Sequence, residues 1–212
     1  FDTMGIYWTM KFRNDKDTLR LEHFYNAPSY AEILGVSRKE LNHSNFLAWV
    51  LNSEESHSLN YFPIKKLLEI VVQHSPDKHQ IVYSDLYNAI VTDDILITAQ
   101  NIEREKHLND AGILDLYIEL TVIYFDKEIT LRLVIENKVK SKEHSDQTIK
   151  YFKHFENIRN NDDINLYVFL TPISGIDLVE LSEPECSCKE FVQINYQALA
   201  DSMFQPILNT NL

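Results

Sequence analysis

Glycine, cysteine and long apolar runs are all scarce in this chain of 212 residues. It contains four glycines and two cysteines, and no internal repeat or low-complexity segment, so repeat architectures are excluded. Cys186 and Cys188 lie too close together for a disulfide framework, and Cys-x-Cys without a second pair is a poor zinc site. No run of eighteen apolar residues exists that would cross a membrane. We therefore expect an intracellular protein with reduced thiols.

Positive charge is also in short supply. The chain has 20 Lys and Arg against 32 Asp and Glu, a net charge of −12, which argues against a general nucleic-acid coat protein. The charge is uneven, because residues 127–159 carry eight Lys and Arg against five Asp and Glu. This local surplus fits either a surface that follows a phosphate backbone or an ordinary mixed-charge helix face.

Length and hydrophobicity favour one domain. With 212 residues, 44% of them hydrophobic, the chain is able to bury a sizeable core. We predict a single domain with an N-terminal extension at 1–34, a core at 35–172 and a C-terminal strand and helix at 173–212. The first five residues have neither a basic segment nor a long apolar one, so we expect no secretory signal and a cytoplasmic location.

One stretch, residues 134–140, indicates a buried strand that is interrupted by charge. Its β-branched and aliphatic residues favour a strand, yet Glu136 and Lys138 lie two positions apart within it. Residues i and i+2 of a strand point to the same face. Because an unpaired buried charge is costly, this carboxylate and ammonium need a partner, a metal ion or water.

A second strand, residues 112–125, precedes the first and contributes another carboxylate. If Asp126-Lys127 forms a two-residue hairpin loop between the strands, Asp115 lies opposite Lys138. Asp115 is then on the face that carries Glu136. A one-residue change in the pairing would move Glu136 to the other face.

Two carboxylates and a lysine on adjacent strands suit metal-assisted phosphoryl chemistry. Carboxylates hold Mg²⁺ or Mn²⁺, the metal activates a bound water, and the ammonium positions that water or neutralises developing charge. The alternative is a cross-strand ion pair on a solvated sheet face, and these three residues alone do not choose between the two.

The combination resembles the PD-(D/E)XK nuclease superfamily. Asp115, a hairpin of roughly twenty residues and then Ile135-Glu136-Asn137-Lys138-Val139 match its core signature and the IENK motif of one branch. Residues 40–52, ELNHSNFLAWVLN, resemble that branch's upstream helix. The resemblance covers residues 28–155, and the helix in the right order makes it more specific than the short signature. The arginine that is common before the family's aspartate is absent here.

The resemblance implies roles for the residues of the two strands. Asp115 and Glu136 would hold the metal, and the backbone carbonyl of Asn137 would add a ligand. Lys138 would orient or help deprotonate the attacking water. Gln147, beyond the second strand, would position water or substrate.

The upstream helix contributes a further candidate. By motif position Glu40 is the third metal ligand, although Ser37 and Glu40 also fit a helix capping box. The resemblance also implies contacts with the substrate. The predicted substrate-binding residues are Ser44, His43, Lys140 and Tyr151.

Other positions match the family pattern with their roles left open. His57 either contacts phosphate, orients Glu40 or is structural. Arg104-Glu105 either supports the site or forms a surface ion pair. Gln147 and Tyr151 are four apart on a predicted helix and share a face, which the family turns toward the active site.

The element order predicts an α/β fold with a restriction-endonuclease-like core. A mixed central sheet of four to five strands is flanked by helices in the order αβββαβ, and a crossover helix makes the strand at 164–172 parallel. In the first helix we expect Leu41, Phe46, Leu47, Val50 and Leu51 in the core. We expect the closing helix, residues 197–208, to be kinked or frayed at Pro206.

The function that the resemblance implies is Mg²⁺- or Mn²⁺-dependent hydrolysis of phosphodiester bonds in nucleic acid, with DNA favoured over RNA, in a defence or mobile-element setting. Restriction-like enzymes often act as homodimers or with a partner subunit. The alternative is an inactive module of the same fold that binds nucleic acid or a protein partner.

Overall fold

The computed structural model describes residues 40–139, 146–171 and 186–209. The chain divides into two units, Phe1–Arg38 and Lys39–Leu212, and the described residues all lie in the second unit. The predicted extension at 1–34 falls outside these ranges and stays a prediction. Among the described helices, none combines the length and apolarity that a bilayer crossing requires.

A mixed five-stranded sheet forms the centre of the fold, as predicted. The strands lie in the order β1-β2-β3-β4-β5, and β1 to β3 are antiparallel neighbours. Strand β4 is parallel to β3, and β5 is parallel to β4. The bounds are β1 Leu96–His107, β2 Ile113–Tyr124, β3 Lys127–Asn137, β4 Ile164–Thr171 and β5 Phe191–Asn195.

Helices lie before, between and after the strands. Helix α1 is Glu40–Leu51, α2 is Phe62–His74, α3 is Asp77–Val82, α4 is Ser84–Val91 and α5 is Gln147–Ile158. After β5 come α6, Tyr196–Leu199, then a π-helical turn, Ala200–Phe204, and α7, Gln205–Asn209. The segment between α2 and β1 contains the two short helices α3 and α4.

Alternate residues of β2 and β3 belong to two apolar cores, one on each face of the sheet. Successive side chains of a strand point to opposite faces, so each strand serves both cores. Ile118 and Leu133 belong to the core that includes residues of α1, α2 and α4. Tyr117 and Val134 belong to the core that includes Phe155 of α5. Helices on both faces thus bury the central strands.

The β2–β3 turn differs from the predicted hairpin loop. Its two central residues are Phe125 and Asp126, with φ angles of 47° and 61°, and Tyr124 pairs with Lys127. Positive φ at both positions is the type I′ geometry that matches strand twist. The predicted loop at Asp126-Lys127 is therefore wrong by one residue. The pairing changes by two residues along β3, so every side chain keeps its predicted face.

The expectation for two apolar residues of α1 is corrected. Leu41 and Phe46 are 47% and 50% exposed. They therefore lie outside the core that α1 forms with buried residues such as Leu47 and Leu51. Four-residue periodicity alone did not show which apolar side chains of this helix face the sheet.

The closing helix has its irregularity ahead of Pro206, at the π-helical turn. There the N–H of Gln205 donates to the carbonyl of Ala200, five residues earlier, which is the π-helical pattern. Pro206 has no N–H with which to continue an α-helical pattern from the preceding turn. The helix thus changes type over Ala200–Phe204 and resumes as α7.

Candidate active site

The antiparallel pairing of β2 and β3 brings two carboxylates together where β3 ends. Leu116 pairs with Ile135, and the same register continued by one residue places Asp115 beside Glu136. Lys138 follows on the same face, with its Nζ 2.7 Å from Oε1 of Glu136. The three residues that sequence analysis grouped on one face therefore meet, although Asp115 is level with Glu136 rather than with Lys138.

Glu136 is a buried carboxylate with little to stabilise its charge. It is 0% exposed, and no described residue completes a well-aligned hydrogen bond to either of its oxygens. The Lys138 ammonium forms an ion pair with Oε1 at 2.7 Å. Burial and the charge of Asp115 raise the pKa of Glu136 to about 8, against a smaller opposing effect of Lys138.

Burial also affects the pKa values of Asp115 and Lys138, the two neighbours of Glu136. Burial raises the pKa of Asp115 above its usual range, although the Asn137 N–H and the Lys138 ammonium oppose that change. The N–H of Asn137 donates to Oδ2 of Asp115 at 2.8 Å. Burial would lower the pKa of Lys138, but Glu136, Asp115 and Glu40 together outweigh burial and raise that pKa. Lys138 is thus an ammonium at neutral pH.

Glu40 reaches the same strand end from α1, which packs on the opposite face of the sheet from α5. It is the first residue of α1, and its Oε1 accepts the N–H of Val139 at 3.1 Å. Its charge raises the pKa of Asp115 and of Lys138. Ser37, the other half of the predicted capping box, lies outside the described residues. Glu40 is therefore an electrostatic neighbour of the strand-end residues.

The donor set fits a hard divalent cation. Mg²⁺ is commonly held by one or two carboxylates together with water and phosphate oxygens. Asp115 and Glu136 supply that number, and within the described residues the buried Glu136 has one cationic partner, the Lys138 ammonium. Within the described ranges, no three or more His, Cys, Asp and Glu side chains form a ready-made metal cluster. The part of Glu40 as a third ligand stays a prediction.

The residues predicted to bind substrate near α1 have different surroundings. Ser44 is only 2% exposed, and its Oγ accepts a hydrogen bond from Nδ2 of Asn137 at 3.1 Å. Its hydroxyl thus faces the protein interior, and its contact with substrate stays a prediction. His43 is half-buried, with its ring against that of Tyr196 at a centroid distance of 5.3 Å. Lys140 lies outside the described residues.

Gln147 and Tyr151 share one face of α5, as their spacing predicted. The Gln147 amide donates to the Tyr151 hydroxyl, which in turn donates to the carbonyl of Ile113. Tyr151 is 0% exposed and ties α5 to the start of β2, two residues before Asp115. The half-buried Gln147 lies nearer the surface. Of the two, Gln147 is the better placed to meet a substrate.

The other motif positions are His57 and Arg104-Glu105. His57 bonds through both ring nitrogens to backbone, accepting from the N–H of Leu59 at 3.0 Å and donating to the carbonyl of Trp49 at 3.0 Å. This arrangement favours its structural alternative over a phosphate contact. Arg104 and Glu105 are both exposed on β1, which leaves their two alternative roles open.

Sequence reasoning missed two side chains that support the site. The side chain of Asn137, between Glu136 and Lys138, is 1% exposed and accepts a hydrogen bond from the Tyr196 hydroxyl. A polar amide inside a buried strand was the available signal, since such a group requires partners. Tyr196 carried no comparable signal, because it follows Asn137 by 59 positions and belongs to no motif.

Comparison with known proteins gives one match. A family model described as the PD-(D/E)XK nuclease superfamily matches residues 30–209. Neither the comparison with curated proteins nor the comparison with solved structures found a significant match. The matched range includes α1, the whole sheet and the helices after β5, and therefore every residue of the candidate site.

Proposed function

Because this chain belongs to the PD-(D/E)XK nuclease superfamily, we propose that it hydrolyses phosphodiester bonds of nucleic acid with the help of Mg²⁺ or Mn²⁺. The preferred substrate in this proposal is DNA. The basic surplus of residues 127–159, which contain β3 and α5, supports a phosphate-rich partner at this part of an otherwise acidic chain. A defence or mobile-element setting, and action as a homodimer or with a partner subunit, stay predictions from the resemblance.

One observation carries the proposal, namely that Glu136 is buried with a single ammonium, that of Lys138, as its cationic partner among the described residues. A buried carboxylate beside a second carboxylate costs free energy unless further positive charge compensates it. Glu136 is 0% exposed and lies beside a second carboxylate, which makes the metal-free arrangement more costly still. Perturbed groups of this kind concentrate at functional sites.

The chain's own residues have distinct roles in the proposed reaction. Asp115 and Glu136 would hold the divalent metal, which when bound would polarise the phosphodiester and make water a better nucleophile. Lys138, an ammonium next to Glu136, donates hydrogen bonds that orient the attacking water and offsets negative charge on the phosphate oxygens. Gln147 holds water or a phosphate oxygen at the α5 side of the site.

Glu40 is the third candidate ligand in this scheme. Its Oε1 accepts the N–H of Val139, which keeps its carboxylate at the end of β3 near Asp115 and Glu136. Its part as a third metal ligand stays a prediction from the resemblance.

The test is a cleavage assay on purified protein. Supercoiled, linear and single-stranded DNA, and RNA, are incubated with EDTA, Mg²⁺ or Mn²⁺. Glu136→Ala and Lys138→Ala are compared with the parent chain, after circular dichroism has established that each variant is folded. Metal-dependent cleavage that both substitutions abolish is the expected result.

Two other results would change the assignment. Cleavage that persists in both variants would mean that the activity belongs to another site or to a contaminant. A folded parent chain that binds DNA but cleaves none of the four substrates would favour the alternative, an inactive module that uses the nuclease fold for binding.

A further inference from the structure

The side chain of Asn137 joins three parts of the fold behind the candidate metal site. Its Nδ2 donates to Oγ of Ser44 at 3.1 Å and to the backbone carbonyl of Glu40 at 3.3 Å. Its Oδ1 accepts the hydroxyl proton of Tyr196. Both ends of the amide are thus satisfied at a position that is 1% exposed.

The backbone around Asn137 holds two carboxylates of the site. The N–H of Asn137 donates to Asp115 at 2.8 Å, and the N–H of Val139 donates to Glu40 at 3.1 Å. These two donors are separated by a single residue of chain. Whatever fixes the Asn137 side chain therefore constrains the direction of both N–H groups, and with them the separation of Asp115 from Glu40.

Tyr196 is the contributor most distant in sequence to this arrangement. It is the first residue of α6, directly after β5, and its ring is half-buried against His43. Its hydroxyl is close enough to Asp115 and Glu40 for their charges to raise its pKa, although burial has the larger effect. The hydroxyl nevertheless donates to an amide, so it supports the site without occupying either carboxylate.

We infer that Tyr196, acting through the side chain of Asn137, is a positioning residue that sets the spacing of Asp115 and Glu40 around the metal. The inference rests on the proposed function, since it concerns the same site. The inference gives α6, the helix after β5, a role in the site. The proposed metal ligands themselves all lie earlier in the chain.

The chemistry of the amide explains why a tyrosine suits this place. Asn137 needs one donor for Oδ1 and two acceptors for Nδ2. Tyr196 is the donor, while Ser44 and the Glu40 carbonyl are the acceptors. Removing the Tyr196 hydroxyl leaves a buried acceptor unpaired, which favours rotation of the amide. Rotation would release α1, and Glu40 with it, from the end of β3.

The test compares Tyr196→Phe with a matched control, Tyr167→Phe. Tyr167 also donates its hydroxyl to a partly buried group, Oε1 of Glu156 at 2.8 Å, and it lies in the core beside α5. Mn²⁺ affinity is measured by isothermal titration calorimetry, and kcat and KM for DNA cleavage are measured at saturating Mn²⁺.

The expected result separates positioning from stability. Loss of one buried hydrogen bond corresponds to a weakening of Mn²⁺ binding by about fivefold to tenfold in Tyr196→Phe. We expect kcat to fall while KM for DNA stays unchanged. Tyr167→Phe lowers the midpoint of thermal unfolding but keeps the Mn²⁺ affinity and the kcat of the parent chain.

Each result that differs from these expectations has one interpretation. If the parent chain binds Mn²⁺ and Tyr196→Phe binds it equally and cleaves equally, the positioning role is overturned and the nuclease proposal stands. If the parent chain itself binds no Mn²⁺, both proposals fall. Should Tyr196→Phe not fold, Ser44→Ala removes another partner of the same amide, and unchanged Mn²⁺ binding in that variant would overturn the inference.

Discussion

Strands β2 and β3 carry two clusters of carboxylates and cations, four residues apart along each strand, and the clusters differ in how well their charges are satisfied. The mid-strand cluster consists of Arg132, Glu119 and Asp163, the residue before β4. Arg132 of β3 pairs directly with Glu119 of β2, donating to it at 2.9 Å and to Asp163 at 2.7 Å. Here one guanidinium provides separate donors for two carboxylates.

The strand-end cluster consists of Asp115, Glu136 and Lys138. The same register that sets an acid against a base in the mid-strand cluster sets an acid beside an acid here. A single ammonium lies 2.7 Å from Glu136, and the Glu136 oxygens have no aligned hydrogen bond from the described residues. One cation is too little for a buried carboxylate and its half-buried neighbour.

The pKa directions express this difference. Burial alone would raise the pKa of Glu119 and of Asp163, but the hydrogen bonds of Arg132 and other donors hold both pKa values below their usual range. In the strand-end cluster burial prevails, and the pKa of Glu136 rises to about 8. The charges of the mid-strand cluster are thus satisfied within the protein, while those of the strand-end cluster are not, as expected of a site that would bind a cation.

The largest difference between the two clusters should appear in the rate of cleavage. Glu136→Gln removes a proposed metal ligand, and we expect cleavage to fall by roughly a thousandfold. Glu119→Gln makes the same chemical change in the mid-strand cluster and should leave kcat unchanged. Initial rates of DNA cleavage in Mg²⁺ check both. Equal losses in the two variants would show that the clusters do not differ as described.

The second largest effect is on stability, and here the mid-strand cluster should matter while catalysis should not change. Arg132→Met leaves Asp163, whose side chain is 9% exposed, without its cation. Breaking such a pair costs about 3 kcal/mol, at the low end for buried pairs because Glu119 is partly exposed. Urea unfolding should show that loss, with the kcat of the folded protein unchanged. A loss below about 1 kcal/mol would class the pair with ordinary surface salt bridges.

Metal binding should depend on pH because Glu136 has to lose a proton first. With its pKa raised to about 8, Glu136 is protonated at neutral pH in the metal-free protein. Mn²⁺ affinity should therefore rise by about tenfold per pH unit up to roughly pH 8 and then level off. Calorimetry in two buffers with different ionisation enthalpies should detect the release of about one proton at roughly pH 7. No proton release would contradict the raised pKa.

The smallest effect is the pH dependence of stability in EDTA. The pKa of Glu136 is higher in the folded chain than its ordinary value of 4.5, so its contribution is fully present below about pH 4.5 and is lost as pH rises through about 8. Between about pH 7 and 8 the parent chain should lose about 1 kcal/mol. Glu119 and Asp163, with lowered pKa values, contribute nothing to a change in this window. Urea unfolding should show the loss in the parent chain but not in Glu136→Gln, and equal slopes in the two would refute it.

Much of the fold followed from local patterns in the sequence. β-Branched and aliphatic residues indicated a buried strand, and the crossover helix predicted the parallel placement of β4. The exact register did not follow, because Phe125 in a type I′ turn departs from the usual residue preferences. The faces of Asp115 and Glu136 survived that error, since a shift of two residues preserves the alternation.

The candidate site was predictable to the extent that its residues lie in motifs. Asp115, Glu136 and Lys138 meet because neighbouring strands bring them together. The interior positions of Ser44 and Tyr151 did not follow, because spacing shows which residues share a face but not how deeply that face is buried. The contact of Tyr196 with Asn137 could not be predicted, because it depends on where β5 ends in the folded chain. Tertiary packing determines that position.

One measurement tests the central claim most directly, the effect of Mn²⁺ on thermal unfolding at roughly pH 8. A ligand that binds the folded state raises the midpoint according to its concentration and affinity. We predict that Mn²⁺ raises the Tm of the parent chain and of Glu119→Gln but not of Glu136→Gln, which in EDTA is at least as stable as the parent. If Mn²⁺ stabilises Glu136→Gln as much as the parent chain, or if that variant is the less stable one in EDTA, the strand-end cluster is not a site prepared for a metal ion.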